Sequence, residues 1–366
     1  MTIRVWEYLN EYEQEREDIL AAVDRVFSSG VLVLGDSVKH FENEFATFCD
    51  VPEAVGVDNA TNGLFLAMKA LNIGPGDEVI TVSNTAVPTV SAIGQTGAMP
   101  RFVDIEANTY LMDVSKLEEV ITPRTKAVIP VHLYGQCVNM TKLLELCKAM
   151  KVHVIEDCSQ SHGATHNDMP CGSMGDMGVF SFYPTKPLGG YGDGAIITCN
   201  QKSLADRLRS LRFYGMKGTY YSVEEGYNSR LDEVHAEILR FKLKNFWNYI
   251  EKRQKIAERY KDKLSSSGLI LPSVNEANSH IFYVYVVRHP QREKIIQDLK
   301  SNDIFLNISY PHPIHLMEGY KHLGYKIGDF PETEKASEEI FSLPMFPSLS
   351  QDRQDIVIEK LLTLLN

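Results

Sequence analysis

The sequence predicts an α/β fold with a large, mostly parallel central sheet domain flanked by helices, followed by a smaller α+β C-terminal domain. The first observation is a regular alternation of short apolar runs with helical patterns between residues 54 and 156. Such repeats are joined by right-handed crossovers, which build a parallel sheet with helices on both faces. The second observation is a change of pattern near residues 245–265, where a charged helical region leads into an aromatic-rich strand. The predicted domains are therefore residues 1–250 and 251–366.

Two amphipathic helices are predicted before the alternating region. In residues 14–27 the apolar side chains fall on one helical face, and Gly30 ends the helix. Residues 36–48 repeat the pattern with Phe41, Phe45 and Phe48 on the apolar face. Both helices are expected to pack on the core.

The alternating region and the segments after it supply the remaining elements. The predicted strands cover residues 54–57, 78–82, 101–104, 127–131, 152–156, 178–182, 195–198 and 281–287. The predicted helices cover residues 61–71, a stretch ending near residue 97, and residues 114–121, 139–150, 203–213, 231–260, 292–302 and 351–364.

Composition narrows the classes of function. The chain has 366 residues, a formal net charge of -11 and 44% hydrophobic residues. A net negative charge disfavours nucleic acid, and no apolar run is long enough to span a bilayer. Residues 1–18 are acidic and lack the apolar run of a secretory signal. Six scattered cysteines without a Cys-x-x-Cys pair are typical of reduced thiols. We therefore expect a cytoplasmic protein that binds neither nucleic acid nor membrane.

Lys186 lies in the turn between the predicted strands 178–182 and 195–198. Pro184 and Pro187 flank it, so neither a helix nor a strand ladder can continue through the turn. Such a lysine is either solvent-exposed, as most lysines are, or a nucleophile whose neutral amine forms a Schiff base with an aldehyde. Apolar neighbours such as Phe180 and Phe182 favour a neutral amine. This stretch alone supports both interpretations.

Three further groups are predicted at strand ends, where open parallel sheets bind ligands. Asn59-Ala60-Thr61 opens a helix, and Thr61 as N-cap with the free amides would suit a phosphate; a plain cap is the alternative. Asp157 follows strand 152–156 and is interpreted as a functional anion rather than a loop cap. Residues 189–194 are glycine-rich and allow amides to approach an anion, but they lack the dinucleotide-binding spacing.

Two kinds of site are compatible with these residue types. Zinc would require Cys158, His162, His166 and Cys171, but their spacing matches no common zinc pattern, so no metal site is predicted. Pyridoxal 5'-phosphate instead uses a lysine Schiff base, an aspartate on its ring nitrogen and a phosphate cradle. Because Lys186, Asp157 and Thr61 provide that combination, pyridoxal phosphate is the predicted cofactor.

A series of motifs between Leu34 and Leu361 resembles one known family. The motifs are Asn59-Ala60-Thr61, Pro75-Gly76-Asp77-Glu78-Val79, Phe102-Val103-Asp104, Pro130-Val131-His132-Leu133-Tyr134-Gly135, Glu156-Asp157-Cys158-Ser159-Gln160, Ser181-Phe182-Tyr183-Pro184-Thr185-Lys186, Gly226-Tyr227-Asn228-Ser229-Arg230-Leu231-Asp232, Tyr310-Pro311, His315-Leu316 and Leu343-Pro344-Met345. On these motifs the chain is similar to the DegT/DnrJ/EryC1/StrS family of pyridoxal-phosphate-dependent nucleotide-sugar aminotransferases. The resemblance implies a fold-type I transferase, like aspartate aminotransferase, that forms a homodimer with shared active sites.

The resemblance also implies roles for individual cofactor-binding residues. Lys186 would be the catalytic Schiff-base lysine, Asp157 would pair with the ring nitrogen, and Gln160 would lie near the ring hydroxyl. The phosphate would be held by Ala60, Thr61 and Ser181, and by Asn228 of the neighbouring subunit. Many members stack an aromatic side chain on the ring where this chain has Ala86. A residue between 85 and 89, or His162, is therefore expected to cover that face.

The implied activity is transfer of an amino group from L-glutamate to a nucleotide-linked keto sugar. Substrate would contact Tyr183, Tyr310, His312 and His315, although packing is an equal alternative for the last three. The motif around Lys186 resembles that of members that convert dTDP-linked 3-keto-6-deoxyhexoses into dTDP-3-amino-3,6-dideoxyhexoses. A 4-keto sugar linked to dTDP, UDP or GDP is one alternative. A non-catalytic binding or regulatory protein on the same fold is another.

Overall fold

The computed structural model describes residues 2–365. Its α-helices are α1 Leu9–Ser29, α2 Asp36–Phe48, α3 Ala60–Ala70, α4 Val87–Gln95, α5 Leu117–Val120, α6 Met140–Met150, α7 Lys202–Leu211, α8 Glu233–Lys244, α9 Phe246–Leu264, α10 Arg292–Lys300, α11 Pro331–Glu339 and α12 Gln351–Leu365. Its strands are β1 Ile3–Arg4, β2 Glu53–Val57, β3 Glu78–Val82, β4 Met99–Val103, β5 Thr125–Val128, β6 His153–Asp157, β7 Thr165–His166, β8 Met169–Pro170, β9 Met177–Ser181, β10 Ala195–Cys199, β11 Tyr285–Arg288, β12 Ile304–Phe305 and β13 Ile340–Leu343.

A seven-stranded sheet forms the centre of the molecule, with the order β2-β10-β9-β6-β5-β3-β4. Strands β9, β6, β5, β3 and β4 pair in parallel. Strand β10 is antiparallel to both of its neighbours, β2 and β9, so it alone runs against the others. The predicted large, mostly parallel sheet flanked by helices is confirmed, and the carboxyl ends of six strands lie at one edge.

Both faces of the sheet are buried because successive side chains point to opposite sides. On one face, Val179 and Ile197 pack with Leu64 of α3 and Leu208 of α7. On the other face, Phe180 packs with Phe45 of α2 and other apolar side chains of α2 and α8. Gly63 lets α3 lie close to the sheet, since a Cβ there would be 2.8 Å from Cγ1 of Val179. This close approach places the N-terminus of α3 beside the end of β9.

Most predicted elements are observed within a few residues, with three corrections. The region 231–260 is two helices rather than one, because Asn245 ends α8 and its amide donates to the Lys242 carbonyl. The strand predicted at 281–287 covers only Tyr285–Arg288, since the amide of Ile281 donates to the Gly135 carbonyl instead. Residues 114–121 form a 3-10 turn followed by the short helix α5.

The C-terminal part packs around its own apolar cluster. Strand β11 pairs with β13, and β1 pairs in parallel with β12, which brings Ile3 into the same cluster as Tyr260, Phe341 and Leu361. The predicted boundary between residues 250 and 251 falls inside α9. The start of the chain therefore packs with the C-terminal part.

The cysteines differ from the expectation of free thiols. Cys137 and Cys171, 34 residues apart, form a disulfide with Cα atoms 6.5 Å apart, and Cys49, Cys147, Cys158 and Cys199 are free and buried. The pairing joins the loop between β5 and α6 to the segment that follows β8. Short-range cysteine spacing cannot reveal such a contact. None of the helices within residues 2–365 combines the length and apolarity needed to cross a bilayer.

Candidate active site

A cavity of about 450 Å³ lies at the carboxyl edge of the sheet. Its walls include seven of the residues singled out from the sequence: Ala60, Thr61, Asp157, Gln160, Ser181, Tyr183 and Lys186. These residues end or follow β2, β6 and β9. In the sheet β6 and β9 are neighbours, and β10 lies between β9 and β2. A volume of this size suits a small-molecule cofactor. The strand order therefore brings distant sequence motifs to one site.

The first wall is the N-terminus of α3. Asn59 is its N-cap, and its side chain accepts a hydrogen bond from the amide of Asn62 at 2.9 Å. This corrects the expectation that Thr61 is the N-cap, because the helix begins one residue earlier. Ala60 and Thr61 then occupy the first two helical positions, where amides lack intrahelical acceptors and can bind an anion. Ser181 lies on the same cavity at the end of β9.

The second wall is Asp157, the last residue of β6. Its side chain is buried, at 5% exposure for the residue, and its amide donates to the Pro130 carbonyl at 2.9 Å. One carboxylate oxygen accepts from Thr89 Oγ1 at 2.8 Å, and the other accepts from the Ser159 amide at 3.2 Å. The carboxylate is thus held at the cavity as a buried anion without a cationic partner of its own in the part of the chain described.

The residue before it, Glu156, fixes the end of the strand from the opposite face. Its carboxylate accepts hydrogen bonds from the amides of Gly172, Met174 and Gly175 at 2.7 to 2.9 Å. His132 Nε2 lies 2.9 Å from Oε2 of Glu156. Because Nδ1 of His132 accepts a hydrogen bond from the Val138 amide, the ring proton is on Nε2 and is donated to Glu156. A fully bonded glutamate therefore anchors the backbone that presents Asp157.

The third wall is the turn that carries Lys186. Its amide donates to the Tyr183 carbonyl at 2.8 Å, which closes the turn between the flanking prolines. The Lys186 Nζ lies 4.8 Å from the ring centroid of Tyr283, and the Tyr283 hydroxyl is 3.1 Å from Thr185 Oγ1. Of the two interpretations of this lysine, the cavity geometry favours the one in which its amine meets a bound ligand rather than bulk solvent.

Gln160 connects this cavity to the C-terminal part of the chain. Its Oε1 accepts from the Tyr134 amide at 2.9 Å, and its Nε2 donates to the Tyr310 hydroxyl at 2.6 Å. Burial raises the pKa of Tyr310 above its usual value, so the phenol stays protonated. Tyr310 itself is not among the cavity walls. Tyr310 is therefore connected to the cavity through its hydrogen bond with Gln160.

The glycine-rich turn is a tightly packed support. The Gly190 amide donates to the Phe182 carbonyl at 2.8 Å, and the Phe182 amide donates to the Gly194 carbonyl at 2.8 Å. A Cβ on Gly192 would lie 2.6 Å from Nε2 of His235, so only glycine lets α8 approach. Asp193 of this turn lines the cavity.

Three further residues named from the sequence do not line this cavity. Asn228 and His312 are exposed. His315 is buried, with Nδ1 2.7 Å from Ser83 Oγ and Nε2 3.2 Å from Glu334 Oε1, and burial lowers its pKa. His315 thus joins the segment after β3 to α11 by hydrogen bonds.

The four residues of the zinc alternative are not brought together. His166 bonds Asn278 and Thr141 at 2.7 and 2.9 Å, and Cys171 is in the disulfide. His162 packs on Phe180 with ring centroids 5.2 Å apart. Burial, aided by the Lys186 charge, lowers the pKa of His162 to about 3, so this ring is neutral. His162 does not line the cavity, whereas Thr85, Ala86, Pro88 and Thr89 do.

One site residue, Tyr283, carried no sequence signal of its own, and residues 85–89 were expected only to cover the ring face. Tyr283 comes from the segment before β11 and reaches Lys186 only through the packing of the C-terminal part. Thr85 and Thr89 follow β3 and form hydrogen bonds toward Asp157. Their position after a strand and their spacing of four residues were available as signals, but threonines are common at helix starts.

The residues present fit pyridoxal phosphate. Free amides and hydroxyls at the start of α3 and at Ser181 suit a phosphate, Asp157 suits a protonated ring nitrogen, and Lys186 suits an aldehyde. The walls place these three kinds of group around one cavity of cofactor size. The arrangement can therefore bind the cofactor at both ends and present an amine to its reactive carbon.

Comparisons with known proteins agree with this chemistry. The model of the DegT/DnrJ/EryC1/StrS aminotransferase family matches residues 13–362. The chain is 54% identical over 365 residues to the dTDP-3-amino-3,4,6-trideoxy-alpha-D-glucose transaminase of Micromonospora megalomicea subsp. nigra, covering 98% of each chain. It is 40% identical over 344 residues to the dTDP-3-amino-3,6-dideoxy-alpha-D-galactopyranose transaminase of Aneurinibacillus thermoaerophilus, covering 94% of each.

The fold is equally similar to solved structures. DesV from S. venezuelae superposes with a TM-score of 0.98 at 35% identity, covering 100% of this chain and 99% of the other. Related aminotransferase structures hold the cofactor in its pyridoxal and pyridoxamine forms.

Proposed function

Because this chain belongs to the DegT/DnrJ/EryC1/StrS aminotransferase family, whose cofactor is pyridoxal phosphate, we propose that it aminates a nucleotide-linked keto sugar at C3. The amino donor is L-glutamate. The acceptor is a dTDP-linked 3-keto-6-deoxyhexose. The product is the corresponding dTDP-3-amino sugar.

The observation that carries the proposal is the position of Lys186 and Asp157 on one cavity that also contains the N-terminus of α3. When bound, the cofactor's protonated ring accepts the electrons released as a bond at the substrate's amine-bearing carbon breaks. Asp157 keeps the ring nitrogen charged. Lys186 is the base and acid that moves a proton between substrate and cofactor carbons. Ala60, Thr61 and Ser181 would hold the phosphate, and Gln160 would lie near the ring hydroxyl.

The choice of sugar rests on the relatives. Both transaminases compared above have dTDP-3-amino sugars in their names, and the more similar one names a 3,4,6-trideoxy sugar. We therefore place the keto group at C3 and include dTDP-3-keto-4,6-dideoxyglucose with the 6-deoxyhexoses as acceptors. Tyr183 is proposed to contact the sugar, because it lines the cavity and is 52% exposed.

We propose a homodimer with shared sites, and the charges along the cavity support it. Among the described residues that line the cavity, Lys186 is the sole basic side chain, beside the carboxylates of Asp157 and Asp193. The cofactor phosphate and a nucleotide diphosphate need more donors than this wall provides. Asn228 is exposed and is not among the residues that line its own cavity. We propose that it reaches the cofactor phosphate of a second copy.

The decisive assay offers the purified protein glutamate and a panel of acceptors. The panel contains dTDP-linked 3-keto sugars with and without the 4-hydroxyl, and dTDP-, UDP- and GDP-linked 4-keto sugars, with Lys186→Ala as control. Release of 2-oxoglutarate and a new amine on the 3-keto sugars alone is expected. Amination of 4-keto sugars in preference would contradict the proposed acceptor. No 2-oxoglutarate with any acceptor would favour a non-catalytic protein on this fold.

A further inference from the structure

Three buried side chains form a chain of hydrogen bonds beside the cavity. The Oγ1 atoms of Thr85 and Thr89 are 3.0 Å apart, and Thr89 Oγ1 is 2.8 Å from Oδ2 of Asp157. Thr85, Thr89 and Asp157 are 2%, 1% and 5% exposed. Water therefore competes little for these bonds, and each is stronger than it would be at the surface.

The direction of these hydrogen bonds follows from the chemistry of Asp157, at which the series ends. An ionised carboxylate only accepts hydrogen bonds, so the hydroxyl proton of Thr89 is committed to Asp157. Thr89 Oγ1 can then only accept from Thr85, whose own proton points to Thr89. The order is Thr85 to Thr89 to Asp157, and the donation from Thr85 strengthens Thr89 as a donor.

The backbone holds the middle member in place. Thr89 lies in the first turn of α4, and its amide is bonded to the Ala86 carbonyl at 3.2 Å. The other oxygen of Asp157 accepts from the Ser159 amide at 3.2 Å. Each carboxylate oxygen thus has one fixed donor, on opposite sides of the group. Without Thr89 only the Ser159 amide would restrain rotation of the carboxylate about its Cβ–Cγ bond.

We propose that Thr89, supported by Thr85, is a positioning residue that orients the Asp157 carboxylate toward the protonated ring nitrogen of pyridoxal phosphate. This inference rests on the proposed role of Asp157 opposite that nitrogen. Thr89 acts through Asp157. Its hydrogen bond sets the plane of the Asp157 carboxylate, and that plane determines where the remaining lone pairs of the carboxylate point.

The test compares pyridoxal phosphate with its 1-deaza analogue, in which a C–H group replaces the ring nitrogen. The dissociation constants of both are measured for the full-length wild type and for Thr89→Val, which keeps the side-chain shape and removes the hydroxyl. Wild type is expected to prefer pyridoxal phosphate. In Thr89→Val this preference falls about tenfold, the value of a hydrogen bond to a charged group, while binding of the deaza analogue is unchanged.

Two further variants complete the design. Thr89→Ser retains the hydroxyl and is expected to keep the wild-type preference. Thr85→Val leaves the Thr89 bond intact and is expected to lower the preference about twofold to threefold. If Thr89→Val does not fold, Thr85→Val carries the same comparison, and an unchanged preference there overturns the inference.

The outcomes separate the inference from the function on which it rests. If Thr89→Val weakens both ligands equally, the residue only packs the site and the inference is wrong. If wild type itself shows no preference for the ring nitrogen, Asp157 is not its partner, and both the assignment of Asp157 and this inference fail.

Discussion

Tyr283 places an aromatic face against the amine on which the chemistry depends. Its ring centroid is 4.8 Å from Lys186 Nζ, and its hydroxyl is bonded to Thr185, the residue before the lysine. In the proposed mechanism, Lys186 is released from the cofactor as a free ammonium during part of each cycle. During that period the ring can hold the ammonium by a cation–π contact worth about 1 kcal/mol. The ring therefore keeps the lysine in reach of the cofactor.

We expect Tyr283→Leu to slow the half-reaction with glutamate about fivefold, which corresponds to that energy. Tyr283→Phe keeps the ring and should retain most of the rate. The measurement is single-turnover absorbance of the bound cofactor after mixing with glutamate, with Thr185→Val as the control for the hydroxyl contact. Equal losses in the Leu and Phe variants would assign the effect to the hydroxyl and contradict the role of the ring.

The contrast between Lys186 and Tyr283 shows how far single residues can be predicted. Lys186 and Asp157 were found because each follows a strand whose position the hydrophobic pattern reveals, and Ser181 was named from the family resemblance. Tyr283 contacts Lys186 and Tyr310 contacts Gln160, both from the C-terminal part and across about 100 residues or more of sequence. Those contacts depend on tertiary packing, which no local pattern encodes.

At the scale of elements, the N-terminus of α8 supports the glycine-rich turn. Asp232 caps the helix, and its carboxylate bonds both the amide and Nδ1 of His235 at 2.8 and 2.7 Å. The Asp232 hydrogen bond raises the pKa of His235 above its usual value, and the charge of Asp193 adds to the effect. Because the folded-state pKa is raised, protonated His235 stabilises the fold at low pH, and this stabilisation is lost as pH rises through the folded-state pKa.

His235→Gln should therefore destabilise the protein more at pH 6 than at pH 8.5, by about 1 kcal/mol for a partly exposed ion pair. The measurement is thermal or urea unfolding at the two pH values. In an Asp232→Asn background the pH difference is expected to shrink, since the main partner charge is gone and only the weaker effect of Asp193 remains. An equal loss of stability at both pH values would contradict the contribution of the charge and leave only packing.

Helices and strands were predictable where one apolar helical face or one apolar run of residues determines their bounds. The strand at 78–82 and the helix at 36–48 have the bounds expected from their apolar patterns. The region 231–260 has an uninterrupted helical pattern, yet Asn245 ends one helix there as the chain changes direction between α8 and α9. The disulfide and the pairing of β1 with β12 also join distant segments, and neither leaves a local signal.

In the whole molecule, each complete site is proposed to need residues from two chains. A Lys186→Ala chain and an Asn228→Ala chain each damage a different half of the proposed shared site. In a mixed dimer one site receives the intact lysine from one chain and the intact asparagine from the other. Complete random exchange should restore activity to about a quarter of the wild-type level, since half of the dimers are mixed and each has one intact site.

The measurement is turnover after mixing the two variants under conditions that exchange subunits, at limiting cofactor. As the control, each variant alone is taken through the same subunit-exchange procedure and its turnover is measured. Activity no greater than that of the separate variants, with exchange verified by mass, would contradict a site shared through Asn228.

The central claim is that one lysine of this chain bears the cofactor and performs the transfer. Borohydride reduction of the cofactor-loaded protein fixes the cofactor to the lysine that holds it, and peptide mapping identifies that residue. We expect label on Lys186, and no label in a folded Lys186→Arg variant, because a guanidinium cannot form the linkage. Label on any other lysine of the wild type would contradict the assignment of Lys186 and the chemistry built on it.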